Sequence, residues 1–133
     1  MRTKNSIHNV YNTLGASNHT DKHRSKLDFY ATPPLATKKL LELEEFSNNI
    51  WEPACGMNHI TKELEKFGYN VKTSDINDMI NDGSVELIDF LNYNGKFDGD
   101  IITNPPYKFA QEFIEKAINT ITEGHKIAMF LKL

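Results

Sequence analysis

The chain is poor in the residues that mark several protein classes. Among its 133 residues there is one cysteine, Cys55, and one tryptophan, Trp51. A lone thiol cannot close an internal disulfide, and His8, His19, His23, His59 and His125 show no metal-ligand spacing with it, so no metal site is expected. No apolar run approaches the ~18 residues of a membrane span, and the opening MRTKNSIHNV lacks the apolar core of a secretory signal. These absences predict a cytoplasmic protein with no membrane partner. There are no repeats and no low-complexity tract, which leaves one domain with one core. Positive charge is scarce beyond residue 30. Residues 1–30 carry five Lys/Arg against two Asp/Glu, whereas residues 31–133 carry ten against sixteen, so a basic arm at 1–27 precedes an acidic body. Such an arm can touch phosphates or remain a solvated terminus.

What the sequence does contain is alternation. TPPLATKKLLELEEF spaces its leucines helically, with Thr32 as the expected N-cap and Pro33 at the first helical position. NNIWEPA reads as a strand running into a glycine turn, and ITKELEKFG as a helix stopped by Gly68. YNVKTSD, VELIDFL and DGDIIT follow as strands, FAQEFIEKAINTI as a helix, and KIAMFLKL as a fifth strand. Strands alternating with helices at this spacing predict an α/β, Rossmann-like domain, with a mostly parallel sheet covered by helices on both faces.

In such sheets ligands bind at the carboxyl ends of the strands, where strand order reverses. Three sequence features fall at those ends. Ala54, Cys55 and Gly56 form a small-residue turn that lets backbone approach a ligand. Asp75 closes the second strand 23 residues after Glu52, where a carboxylate can accept from ribose hydroxyls or act as a simple turn former. The third is NPPY, residues 104–107, where two prolines forbid the preceding strand to continue. At ordinary residue frequencies such a tetrapeptide occurs by chance about 0.003 times in a chain this long. The chemistry gives it a purpose. An aromatic amine is a poor nucleophile because its lone pair is delocalised, and an amide oxygen on Asn104 with the carbonyl of Pro105 can accept its two N–H bonds and direct the nitrogen. Tyr107 can stack on the base. Cys55 is expected to pack rather than react.

NPPY, together with EPACG, Asp75 and the upstream DFYATPP, resembles the amino-group DNA methyltransferases that use S-adenosylmethionine. The similarity covers about residues 28–133 and is to adenine-specific enzymes of phage or restriction-modification type. It implies a class I methyltransferase fold and methyl transfer to the 6-amino group of adenine in DNA, with the target base flipped out of the duplex. It further implies that Tyr30, Thr32 and Pro33 flank the methionine part of the cofactor and that Glu52, Ala54 and Gly56 form its binding loop. Asp75 would hold the ribose, Ile76 would pack on the cofactor adenine, and Asp89 with Phe90 would contact that adenine's amine and ring. Asn104, Pro105, Pro106 and Tyr107 would be the catalytic tetrapeptide.

Two departures accompany the resemblance. Asn58 stands where the family usually has a second glycine, a substitution that asparagine's tolerance of positive φ can absorb. The family's last hairpin and target-recognition region would lie beyond Leu133. Their place past the last residue predicts an incomplete sheet edge, self-association or a partner completing it, and little activity for this length of chain alone. Related NPPY enzymes act on an RNA base amine or a protein glutamine amide, and a domain that only binds cofactor is a further alternative.

Overall fold

A computed structural model describes residues 31–132; the arm at 1–27 and Tyr30 lie outside the described residues. The elements in chain order are α1 (Pro34–Leu43), β1 (Asn49–Glu52), α2 (His59–Lys66), β2 (Asn70–Asp75), β3 (Glu86–Leu87), β4 (Asp100–Thr103), α3 (Ala110–Thr120) and β5 (Ile127–Met129), with 3₁₀ turns at Phe90–Asn92 and Tyr107–Phe109. The five strands form one parallel sheet in the order β3-β2-β1-β4-β5. The chain builds outward from β1 in one direction and then in the other. The reversal point lies between β1 and β4, and the fold is the expected Rossmann-like α/β domain.

Local chemistry sets the boundaries. α1 begins one residue later than its sequence predicts. Pro33 precedes Pro34 and is therefore held extended, at φ −60° and ψ 141°, so it takes the N-cap position while Pro34 opens the helix. Thr32 is thereby released from capping. α2 ends at Gly68, whose φ of 92° only glycine adopts without strain. The third strand is shorter than VELIDFL suggests. After Ile88 donates to the Asp75 carbonyl, the chain turns inward so that Phe90 packs edge-on against Trp51, with ring centroids 5.2 Å apart. β5 ends at Met129, three residues into the apolar run.

Alternating residues of the sheet face two apolar clusters. Ile50 and Ile102 meet Ile60 and Leu64 of α2 on one face, with Leu40 and Leu41 of α1 packed around them. Trp51 and Ile101 meet Phe113 and Ala117 of α3 on the other, with Phe90 and Phe109. Helices thus cover both faces. At the amino ends of the strands, buried Asp100 accepts from the backbone N–H of Ser47 at 2.7 Å and of Lys126 at 2.8 Å. His125 bridges Asp100 and Asp98 at 3.2 and 3.0 Å, and these carboxylates, Asp98 first, raise its pKa. That cluster pins the entries to β1, β4 and β5 and leaves their opposite ends to form a site.

Candidate functional site at the sheet reversal

Beyond β1 the chain makes two left-handed steps, Gly56 at φ 53° and Asn58 at φ 68°, before α2 begins. Asparagine therefore supplies the conformation that a second glycine would have given. Asn58, as N-cap, makes no side-chain cap bond. The cap comes instead from Glu52 at the end of β1, whose Oε1 accepts from the Thr61 backbone N–H at 3.1 Å and from Thr61 Oγ1 at 2.5 Å. Glu52 is buried, and desolvation raises its pKa well above the usual carboxylate range despite those two bonds. Thr61 gave no signal in the sequence, because its partner is nine residues away across a turn.

Asp75 ends β2 and ties the turn to the sheet. Its Oδ2 accepts from Gly56 N at 2.9 Å and its Oδ1 from Asn77 N at 3.1 Å, while burial raises its pKa. Each carboxylate oxygen has a second lone pair, so the group can still accept from a ligand diol. Cys55 is buried beside it. Burial, with Asp75 and Glu52 nearby, pushes the thiol pKa up, which keeps it protonated and fits packing rather than nucleophilic attack.

A small crevice, about 10 Å³ in volume, lies at the reversal point. Its lining includes Ala54, Asp75, Ile76, Asp89, Phe90 and Pro106, together with Ile88 and Phe113. The first six come from the ends of β1, β2, β3 and β4, and all were singled out in the sequence. Glu52 lies behind this crevice and not in its lining. Asp89 also accepts from Asn92 Nδ2 at 2.9 Å. Phe90 contributes a buried ring that tilts against Phe113 at 5.2 Å.

Past β4, Pro106 is extended, at φ −55° and ψ 129°, and its carbonyl accepts from Phe109 N at 2.9 Å to close a 3₁₀ turn. Among the described residues, no backbone N–H reaches the carbonyl of Pro105. Asn104 Nδ2 donates to Thr32 Oγ1 at 3.0 Å, across 72 positions of sequence. With its NH₂ group held on Thr32, the amide presents its oxygen on the opposite side of the planar group. Thr32 of the upstream element and Asn104 of NPPY are therefore joined directly. Tyr107 is 52% exposed, and Lys132 Nζ lies 5.1 Å from its ring centroid. Thr103 of β4 pairs with Met129 of β5, so residues shortly beyond each emerge side by side.

The described residues thus define a doubly wound α/β domain with a small crevice at its sheet reversal. No family model and no curated protein matches the chain. A crystal structure from Pyrococcus horikoshii, provisionally described as an RNA methyltransferase, matches with 17% identity and a TM-score of 0.48, over 77% of this chain. This chain spans 57% of that protein's length. Among the described residues no helix is long and apolar enough to cross a membrane, and no cluster of His, Cys, Asp or Glu could hold a metal.

Proposed function

We propose that this site binds S-adenosylmethionine in the crevice and supports methyl transfer to the 6-amino group of adenine in DNA. One observation carries the reading: Thr32 holds the Asn104 amide two residues before Pro106, which lines the crevice with Ala54 and Asp75. The donor set suits the cofactor. Asp75 offers acceptors for a ribose diol, Ile76 and Phe90 offer apolar contact for a purine, and Asp89 can accept from its amine. Gly56 keeps the backbone close, and Thr32 and Pro33 would flank the methionine end.

The bound cofactor would supply a methyl group activated by a sulfonium. The protein's part is orientation. The Asn104 oxygen and the Pro105 carbonyl accept the two N–H bonds of the adenine amine and point its lone pair toward the methyl, favouring in-line attack. The new N–C bond forms as the S–C bond breaks, and one amine proton leaves to solvent. Pro106 fixes the turn, and Tyr107, half exposed beside it, offers a face for a flipped base.

Calorimetry with S-adenosylhomocysteine, alongside transfer of labelled methyl to DNA, RNA and protein acceptors, tests the reading. Binding of the homocysteine product with label in the adenine of DNA is the expected result. Absence of binding removes the cofactor assignment, and label in RNA or protein alone removes the substrate.

A further inference from the structure

At the amino ends of the strands, opposite the proposed site, the His125 ring stands between two carboxylates. Its Nδ1 lies 3.2 Å from Asp100 Oδ1 and its Nε2 3.0 Å from Asp98 Oδ1. An ionised carboxylate only accepts, and a neutral imidazole carries one N–H and one lone pair. The neutral ring therefore bonds one of these oxygens and turns a lone pair on the other, whereas the imidazolium donates to both. We infer that His125 is a proton-operated latch on the edge strand β5. With both nitrogens protonated it clamps the entry of the strand to Asp98 and Asp100, and loss of one proton releases a carboxylate and loosens the strand. The latch is independent of the proposed methyl transfer.

Position makes the entry of β5 the part that responds. His125 closes the turn after α3, its N–H donating to the Thr122 carbonyl at 3.3 Å. The next residue, Lys126, starts the pairing with β4: its N–H donates to Asp100 Oδ1 at 2.8 Å, and its carbonyl accepts from Ile101 N at 3.0 Å. A shift of the ring thus passes directly to the first rung of the strand. Asp100 cannot follow such a shift, because it is buried and also accepts from Ser47 N at 2.7 Å. Asp98 is exposed and accepts from Thr122 Oγ1 at 2.8 Å. β5 has little else to hold it. It pairs with β4 alone, and its three residues are half-buried where all four of β4 are buried. Among the described residues, Asp98 and Asp100 are the charged groups that act on His125, while the Lys126 ammonium is turned to Glu44 Oε1 at 3.2 Å and the Glu45 carbonyl at 2.7 Å. Bonding to Asp98 foremost, and then to Asp100, raises the His125 pKa despite partial desolvation. The folded chain therefore binds the proton more tightly than the unfolded chain. The latch is fully closed below the unfolded value near 6.5, and its contribution is lost as pH rises through the folded value.

The test is residue-resolved hydrogen exchange of the full chain by NMR, at about pH 6 and about pH 8.5, on either side of the imidazole titration. Protection factors remove the intrinsic effect of pH on exchange, and the amides of β1 and β2 in the same sample report any change in global stability. In wild type the Lys126 and Phe130 amides, which donate to Asp100 and to the Thr103 carbonyl, should lose protection several-fold at the higher pH relative to those of β1 and β2. His125→Gln, which has no charge to lose, should hold them weakly at both pH values. His125→Arg, always charged and forked toward two acceptors, should keep them protected at both. The wild-type ring itself gives a measurement that needs no variant: nitrogen NMR should show both of its nitrogens protonated at about pH 6, with a titration above the usual histidine range. A ring with a single N–H at that pH overturns the inference. So does a loss of β5 protection no greater than that of β1 and β2, or one as steep in His125→Gln as in wild type.

Discussion

At the scale of single residues, the proposed site depends on side chains whose orientation is fixed by hydrogen bonds. Thr32 is the clearest case. Its hydroxyl receives the Asn104 NH₂ group, so Thr32→Val should let the amide rotate and lower turnover by roughly 2–10-fold, the equivalent of one neutral hydrogen bond of about 0.5–1.5 kcal/mol, while Thr32→Ser preserves it. Equal rates for the valine and serine variants would show that Asn104 is held by something else. Asp75 supports a second prediction. Asp75→Ala should weaken S-adenosylhomocysteine binding by about 1.5–3 kcal/mol, as expected for hydrogen bonds to a charged group. Asp78→Ala should change affinity little, because the Asp78 carboxylate serves its own turn through Ile80 N and Asn81 N. Calorimetry in which both variants lose affinity alike would remove the ribose role from Asp75. Of these residues, Asn104 and Asp75 were legible as candidates from type and position, whereas Thr32 read as a helix cap and entered the site only through the family resemblance. The bond from Thr32 to Asn104 was not legible, since it joins positions 72 apart and depends on the second proline displacing the helix start.

At the scale of elements, α2 is capped from outside itself. Glu52 at the end of β1 accepts the Thr61 N–H that a serine or aspartate at position 58 would ordinarily take, and it does so buried. Because the folded-state pKa of Glu52 is raised, the folded chain holds its proton more tightly than the unfolded chain. Its contribution to stability is fully present below the unfolded value near 4.5 and is lost as pH rises through the folded value. Glu52→Gln keeps an acceptor at Oε1 and removes the titration, so its melting temperature should fall less than wild type's as pH is raised. Parallel pH curves for the two proteins in differential scanning fluorimetry would show that the buried carboxyl is not what destabilises the fold. The existence and type of the described helices and strands could be read from the sequence, clearly where β1, β4, α2 and α3 bury side chains in the two clusters and less so at β3, whose two residues are exposed. Strand lengths could not. β3 and β5 stop where their neighbours stop pairing, and a chain's own pattern does not record its neighbour's length.

At the scale of the whole molecule, one sheet edge is β5. Its pairing with β4 uses the backbone of Lys126, Ala128 and Phe130, so Ile127 and Met129 direct their N–H and C=O groups outward. Such an edge is a template for another strand, and the 133-residue chain should self-associate through it. Met129 packs against the core and is unsuitable as a probe, whereas Leu131 is exposed. Light scattering after size exclusion should show a concentration-dependent mass for wild type and a monomer for Leu131→Lys; a monomeric wild type at every concentration would contradict this. At the other end of the sheet lies the proposed cofactor site, the crevice lined by Ala54, Asp75 and Pro106. The most direct test of the proposed transfer is a single-turnover reaction with protein in excess over single-stranded DNA and labelled S-adenosylmethionine, read by mass spectrometry of the nucleosides. The account predicts N6-methyladenine from wild type and none from Asn104→Ala, with cofactor affinity within a few-fold in that variant. N6-methyladenine no greater with wild type than with Asn104→Ala would contradict it.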